Sequence, residues 1–323
     1  MTRLRRSDPG APGIARQRRG RGFTYVDPSG ARIHDEATLE RIRNLAIPPA
    51  WEDVWICADP DGHLQATGSD AAGRRQYRYH DAWRERRDRA KFRRIEAFGA
   101  ALPDLRGQVS ADLRRRGFPQ PRILAGTVRL LDRGALRIGS EEYQRRNGSH
   151  GLLTLRRDHL RISGDVMTLR FPGKSGVEQH VRVRDAALAR LLRGLRRAHD
   201  LPDLWAWHDA ATWRPLHAGE VNEYIRDGLG DEASAKDFRT WHATVLAATT
   251  LAGHEPAEGK RAVTSMMREV ATQLGNTPAV ARSSYVDPRL VDRFLDEGRT
   301  VNVDPDASAE DVEAAVLRFI DGE

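Results

Sequence analysis

The chain has 323 residues and carries 53 Lys and Arg against 46 Asp and Glu, a net charge of +7. That length suits about two domains with a core that needs no covalent staples. A single cysteine, Cys57, excludes an intramolecular disulfide and a cysteine-built zinc site, and no apolar run approaches the roughly 18 residues of a membrane span. A cytoplasmic chain with no membrane partner is therefore expected. Only four basic residues are lysines, Lys91, Lys174, Lys236 and Lys260. Lysine is the unusual choice here, and unlike arginine it can give up a proton.

In chain order, residues 1–22 hold seven arginines and one aspartate. With their Gly and Pro they read as a basic flexible arm, suited to lying along phosphates. Residues 23–82 read as a β-rich domain. Its turns are Asp27-Pro28-Ser29-Gly30 and Asp59-Pro60-Asp61-Gly62. A helix is expected over 35–46, stopped by Pro48-Pro49, and strands over 53–58, 63–67 and 74–79. From 83 to 323 the pattern is mainly helical, starting with a charged helix over 81–100. A small antiparallel sheet interrupts it, with strands expected over 152–156, 160–162, 166–171 and 177–183. The last helix should start at Ser308, with Asp311 three residues on, and turn Val312, Val316, Leu317 and Ile320 to a core. The acidic end, 304–323, reads as structural. The fold class is α+β: a small β-rich N-terminal lobe and a larger, mainly helical lobe with a small antiparallel sheet.

Several chemistries lack their residues. There is no GxxxxGK[ST] loop, dinucleotide fingerprint or HExxH, and the 11 histidines show no metal-ligand spacing. No cofactor and no metal are expected. What remains is a set of cations and one tyrosine: Arg137 in Leu136-Arg137-Ile138-Gly139, Lys174 in Pro172-Gly173-Lys174-Ser175-Gly176, Arg239 in Lys236-Asp237-Phe238-Arg239-Thr240, and Tyr285 in Ser284-Tyr285-Val286-Asp287-Pro288. Asn276 precedes that tyrosine by nine residues. The set suits phosphoryl transfer to a tyrosine. Arginines clamp non-bridging oxygens by paired hydrogen bonds. A lysine can protonate the leaving oxygen, and a neutral amide adds one more donor.

These motifs, in this order, resemble the type IB DNA topoisomerases of the small poxvirus-like and bacterial group. Arg137 in LRIGSEEY matches the first catalytic arginine and Tyr143 a DNA-contacting tyrosine. Gly151-Leu152-Leu153-Thr154-Leu155 matches the GLxTL stretch. Lys174 in FPGKSG matches the general-acid lysine, Arg239 in KDFRTWHA the second catalytic arginine, and Tyr285 in SYVDPR the nucleophile. Ile47-Pro48-Pro49-Ala50-Trp51 is also family-like. So is the strand Arg75-Gln76-Tyr77-Arg78-Tyr79-His80, which in the family faces the DNA major groove.

The resemblance spans about 23–300. It implies a two-lobed clamp around duplex DNA. Arg75, Gln76, Tyr77, Tyr79, Tyr143 and Lys236 are the implied DNA contacts. The implied activity relaxes supercoils through a 3′-phosphotyrosyl intermediate, as a monomer, without ATP or metal. One departure stands out: most of the family has His where this chain has Asn276, which donates a hydrogen bond but carries no charge. The rival readings are a tyrosine site-specific recombinase, which usually has His where this chain has Lys236, and a non-catalytic DNA-binding clamp.

Overall fold

The computed structural model describes residues 3–304 and 306–322. The chain divides into two compact units, one ending at Lys91 and the other starting at Phe92. None of the described helices is long and apolar enough to cross a membrane.

The first unit is a five-stranded antiparallel sheet with one helix. Its strands are β1 (Ile14–Arg19), β2 (Gly22–Val26), β3 (Glu52–Ile56), β4 (Leu64–Ser69) and β5 (Arg75–Tyr79), in the order β2-β1-β3-β4-β5. Helix α1 (Glu36–Asn44) starts where the Asp35 side chain accepts the Thr38 N–H at 2.8 Å. It packs Ile42 onto Ile14, Val54, Ile56 and Ala66. The expected flexible arm over 1–22 is corrected here. Ile14 is only 4% exposed, and β1 pairs with both β2 and β3. Arg16 is held by the carbonyls of Ile47, Pro48 and Trp51, and lies over the Phe23 ring. Upstream, the Ser7 hydroxyl donates to Leu64 O at 2.9 Å. Arg16, Arg18 and Arg19 thus belong to a paired strand, Arg16 turned onto its own unit and Arg18 and Arg19 exposed, and one buried isoleucine anchors it.

The second unit is mostly helical. Helix α2 (Asp81–Leu113) starts in the first unit, carries Pro103 inside and runs well past the expected end near 100. Its later turns bury Ile95, Phe98, Leu102, Leu105 and Val109 in the main core. Helix α3 (Gln120–Gly134) lies at the centre of that core, with nine buried residues. After α4 (Glu141–Asn147) comes a 3-10 turn over Leu152–Thr154, where a strand was expected. The reason is that the backbone N–H groups of Leu152 and Leu153 bond the loop after α3 instead of a sheet.

The small antiparallel sheet is present as β6 (Leu160–Ser163), β7 (Val166–Pro172) and β8 (Glu178–Arg184), in that order. Helix α5 (Ala186–Ala198) follows, then a hairpin that the sequence reading did not include, β9 (Ala206–Asp209) with β10 (Thr212–Pro215). The remaining helices are α6 (Ala218–Leu229), α7 (Ala235–Ala252), α8 (Lys260–Leu274), α9 (Pro278–Ser284), α10 (Pro288–Asp296) and α11 (Ala309–Asp321). Helix α11 is capped by Ser308, as expected, and buries Val316 and Ile320. It also delivers Glu313 to Arg106 at 2.6 Å, and Arg106 reaches Asp132 of α3 at 2.9 Å. Two carboxylates around one guanidinium tie α11 to α2 and α3, so the acidic end is a packed part of the unit.

Candidate active site

Arg137 lies just past α3. Ala135 ends that helix in the left-handed region, at φ 47°. The chain then runs against residues 151–153, with Leu152 N–H donating to Arg137 O at 2.8 Å and Leu153 N–H to Ile138 O at 2.9 Å. The two strands of this splint touch through glycines. A Cβ on Gly151 would sit 2.5 Å from Gly139 Cα and 2.8 Å from Arg137 O, and Gly139 itself has φ 77°. Gly151→Ala should therefore displace the Arg137 loop. A shift of about 1 Å is expected to slow strand cleavage by about 10²-fold. Single-turnover cleavage beside a DNA-binding titration checks this; the rate should fall far more than affinity.

Arg239 is fixed by the start of α7. There Ser234 donates its N–H and hydroxyl to Asp237 at 2.9 and 2.8 Å, and Arg94 of α2 donates to the same carboxylate at 3.0 Å. Phe238 and Trp241 are fully buried on the core side. Trp241 packs flat on Gly99 of α2, where a Cβ would stand 2.7 Å from the indole. So anchored, α7 holds Arg239 4% exposed. The guanidinium donates to Leu274 O at 2.8 Å and to Ala135 O, and its Nε is buried with no partner among the described residues. Burial, and then the like charge of Arg137, bring its pKa down to about 10. It remains a cation at neutral pH.

Tyr285 follows the short helix α9. Its N–H donates to Ala281 O at 3.0 Å, and its carbonyl accepts from the Thr244 hydroxyl of α7 at 3.3 Å. The side chain is 9% exposed, with the Arg239 guanidinium 5.4 Å from its ring centroid. Burial alone would raise the phenol. The charge of Arg239 and its side-chain hydrogen bond, then Arg137 and Lys236, outweigh burial and hold the pKa below its ordinary value. Two residues on, buried Asp287 caps α10 and pairs with Arg289 at 2.8 Å, while Arg289 also reaches Glu96 of α2 at 2.8 Å. The tyrosine turn is thereby bolted to α2.

Asn276 completes the cluster. Helix α8 ends at Gly275 in the left-handed region, and the Asn276 N–H returns to Ala271 O at 2.8 Å. Arg137 Nη2 donates to Asn276 Oδ1 at 2.5 Å. A guanidinium can only donate, so this contact fixes which end of the amide faces it. The other end, Nδ2, is buried with no partner among the described residues.

The structure thus brings four of the five expected site residues together. Lys174 is apart from them. It sits at the exposed tip of the β7–β8 turn, and its side chain makes no hydrogen bond or ion pair among the described residues. The root of that turn is fixed, since His150 N–H donates to Pro172 O at 2.7 Å. Gln179 of β8 also lies against Gly275, as a Cβ there would stand 2.9 Å from its amide nitrogen. Lys236 is exposed in the first turn of α7. Tyr143 falls in α4, and its side chain lies outside the described residues.

In the first unit, β5 is an edge strand, so Arg75, Tyr77 and Tyr79 share one face. Tyr77 is 49% exposed, its ring centroid 6.2 Å from that of Tyr79. Arg75 donates to Thr67 Oγ1 at 2.6 Å. Gln76 points to the opposite face, and its amide donates to Asp70 at 2.9 Å. The supporting residues Asp237, Thr244, Gln179 and Arg289 were not singled out in the sequence. Only Asp237 carries a local signal, the Ser234-to-Asp237 capping spacing.

Two guanidiniums, a buried amide nitrogen and a phenol with a lowered pKa are groups suited to a phosphodiester that gains negative charge. The comparisons agree with that class. Residues 80–300 match the family described as eukaryotic DNA topoisomerase I, catalytic core, and residues 22–70 match the bacterial DNA topoisomerase IB N-terminal domain. The DNA topoisomerase 1B of Acanthamoeba polyphaga mimivirus is 29% identical over 85% of this chain and 85% of its own length. The DNA topoisomerase 1B of Vaccinia virus (strain Copenhagen) is 22% identical over 81% of this chain and 84% of its own. A solved site-specific recombinase, XerH, aligns over 61% of this chain and 51% of its own, at 15% identity and a TM-score of 0.39, too slight a likeness to carry an argument. The chain belongs to the type IB DNA topoisomerases.

Proposed function

We propose that this protein relaxes supercoiled duplex DNA by cutting one strand through Tyr285 and resealing it, without ATP or metal. The observation that carries the reading is the contact of buried Tyr285 with buried Arg239, beside the bonded pair of half-buried Arg137 and Asn276. The Tyr285 oxygen attacks a backbone phosphorus in line. As its bond to phosphorus forms, the bond to the 5′ oxygen breaks, and the phenolic proton passes to solvent. Lys174 protonates the leaving 5′ oxygen, reaching the DNA from its exposed turn. The unpartnered Nε of Arg239 and Nδ2 of Asn276 are two donors left open for the non-bridging oxygens, and Arg137 neutralises charge beside them. The product is a 3′-phosphotyrosyl ester. It conserves the bond energy, so the 5′ hydroxyl can reverse the step after the free end swivels. Arg75, Tyr77, Tyr79, Tyr143 and Lys236 serve as DNA contacts, and Gln76 joins them only if it leaves Asp70. The protein works as a monomer in the cytoplasm, since one chain supplies every reacting group.

Relaxation of negatively supercoiled plasmid in EDTA without ATP tests the reading; no relaxation beside tight binding would count against it. Asn276→Ala removes one donor to the developing charge and should slow cleavage by about 10²-fold. An amide does not titrate, so Asn276 should add no ionisation to the cleavage pH profile; those present belong to the nucleophile and the general acid. A further ionisation near the histidine range in a cleavage pH profile would contradict this assignment.

A further inference from the structure

An exposed turn places a lysine only as well as its root is held. In the Lys174 turn, Gly173 N–H donates to Val177 O at 2.9 Å, which ties the two sides of the hairpin to each other. The bond from His150 N–H to Pro172 O, at 2.7 Å, ties the hairpin to a segment outside the sheet. Lys174 follows that carbonyl by two residues. What fixes residue 150 therefore bears on where the lysine can reach.

Residue 150 is fixed by its own side chain. His150 Nδ1 lies 2.6 Å from Thr154 O. A carbonyl only accepts, so Nδ1 carries the proton and donates it to the bond. Inside the same turn, Gly151 N–H donates to Thr154 Oγ1 at 3.0 Å and Thr154 N–H to Gly151 O at 3.1 Å. The imidazole closes the turn around these two bonds. Its ring also meets His159 edge to face, with centroids 4.5 Å apart and planes at 75°. His159 in turn lies 6.1 Å from the ring of Phe171, a buried residue of β7 next to Pro172. His159 Nδ1 accepts the Arg156 N–H at 3.1 Å, which needs a neutral ring. Burial, and then the nearness of His150, hold its pKa below the ordinary histidine value.

Arg137 is held by other groups. Its loop takes the N–H groups of Leu152 and Leu153 and the contact of Gly139 with Gly151, none of which uses the His150 side chain. Loss of the imidazole should therefore fall on the lysine and spare the arginine.

We infer that the His150 side chain is a positioning residue for Lys174: it locks the turn that anchors the hairpin, and so sets where the lysine meets the leaving 5′ oxygen. The inference rests on the reading of Lys174 as proton donor given above.

The test compares wild type, His150→Phe, His150→Asn and Lys174→Ala. Phe keeps a ring against His159 and has no donor. Asn carries an amide nitrogen as many bonds from the backbone as Nδ1, and can bond Thr154 O. Each protein cleaves two duplexes in single turnover, one with the ordinary 5′ oxygen at the cut and one with sulfur in its place. A thiol ionises near pH 8.5, at about 8.5 for cysteine, so sulfur leaves as a thiolate and needs no proton donor. On oxygen, His150→Phe should be slower by about 10²-fold at unchanged DNA affinity, and His150→Asn should stay near the wild-type rate. On sulfur, His150→Phe and Lys174→Ala should both cleave as the wild type does. A wild-type rate for His150→Phe on oxygen overturns the inference, as does a His150→Asn as slow as His150→Phe. Rescue of Lys174→Ala but not of His150→Phe by sulfur overturns it while the reading of Lys174 stands. If sulfur does not rescue Lys174→Ala, the lysine is not the proton donor and the inference falls with that reading. Should melting curves show His150→Phe unfolded, His150→Ala takes its place with the same expectations.

Discussion

Tyr285→Phe is expected to abolish plasmid relaxation, with strand cleavage falling by about 10⁴-fold or more, as when a covalent nucleophile is removed. DNA affinity should stay near that of the wild type. The ring remains available to the Arg239 guanidinium, 5.4 Å from its centroid, and the backbone bonds to Ala281 and Thr244 do not involve the hydroxyl. Thermal stability should fall only by about 1.5–3 kcal/mol, the worth of the lost hydroxyl hydrogen bond to Arg239. Relaxation on a gel, filter binding and a melting curve check the three parts. A fall in rate matched by a fall in affinity would mean that the hydroxyl binds DNA and does not attack it.

Arg239 carries the second large effect. Arg239→Ala removes a cation from the transition state and should slow cleavage by about 10³-fold. It also strips the donors from Leu274 O and Ala135 O. Leaving buried carbonyls without partners costs about 1–3 kcal/mol of stability. Arg239→Lys separates the two roles. A lysine can satisfy one of those carbonyls and regain part of the stability. It offers no planar fork with a spare Nε–H, so it should not restore the rate. Melting curves and single-turnover cleavage of the three proteins check this. Full recovery of rate by lysine would reduce the role of Arg239 to charge alone.

The candidate site was legible because its proposed reacting groups sit in local motifs, and each motif matches a local device of the fold. Lys236-Asp237-Phe238-Arg239 is the first turn of α7, with Asp237 capping and Phe238 in the core. Pro172-Gly173-Lys174-Ser175-Gly176 is the turn of a hairpin, with Ser175 and Gly176 in the left-handed region. The contacts between distant segments were not legible. Nothing local says that Gly151 must lie on Gly139, or that Arg137 finds Asn276, 139 positions away. The same blindness explains two misreadings. Residues 152–156 are apolar enough for a strand, yet the N–H groups of Leu152 and Leu153 serve the Arg137 loop and those of Thr154 and Leu155 close a tight turn. Residues 14–19 are basic enough for a loose arm, yet their backbone completes a sheet. Composition reports what a side chain prefers; it does not report which backbone is waiting to pair with it. Gln76 makes the point for a single residue, since alternation along β5 turns it from the face of Tyr77.

The central claim is that Tyr285 takes the 3′ phosphate of the cut strand. The most direct measurement is a nicked duplex that traps the cleaved state, labelled in turn on either side of the cut, in EDTA and without ATP. The label 5′ of the cut is expected to stay on the protein. Peptide mapping should place the nucleotide on Tyr285, while the other fragment leaves with a free 5′ hydroxyl. Retention of the fragment 3′ of the cut, or an adduct on another residue, would contradict the claim.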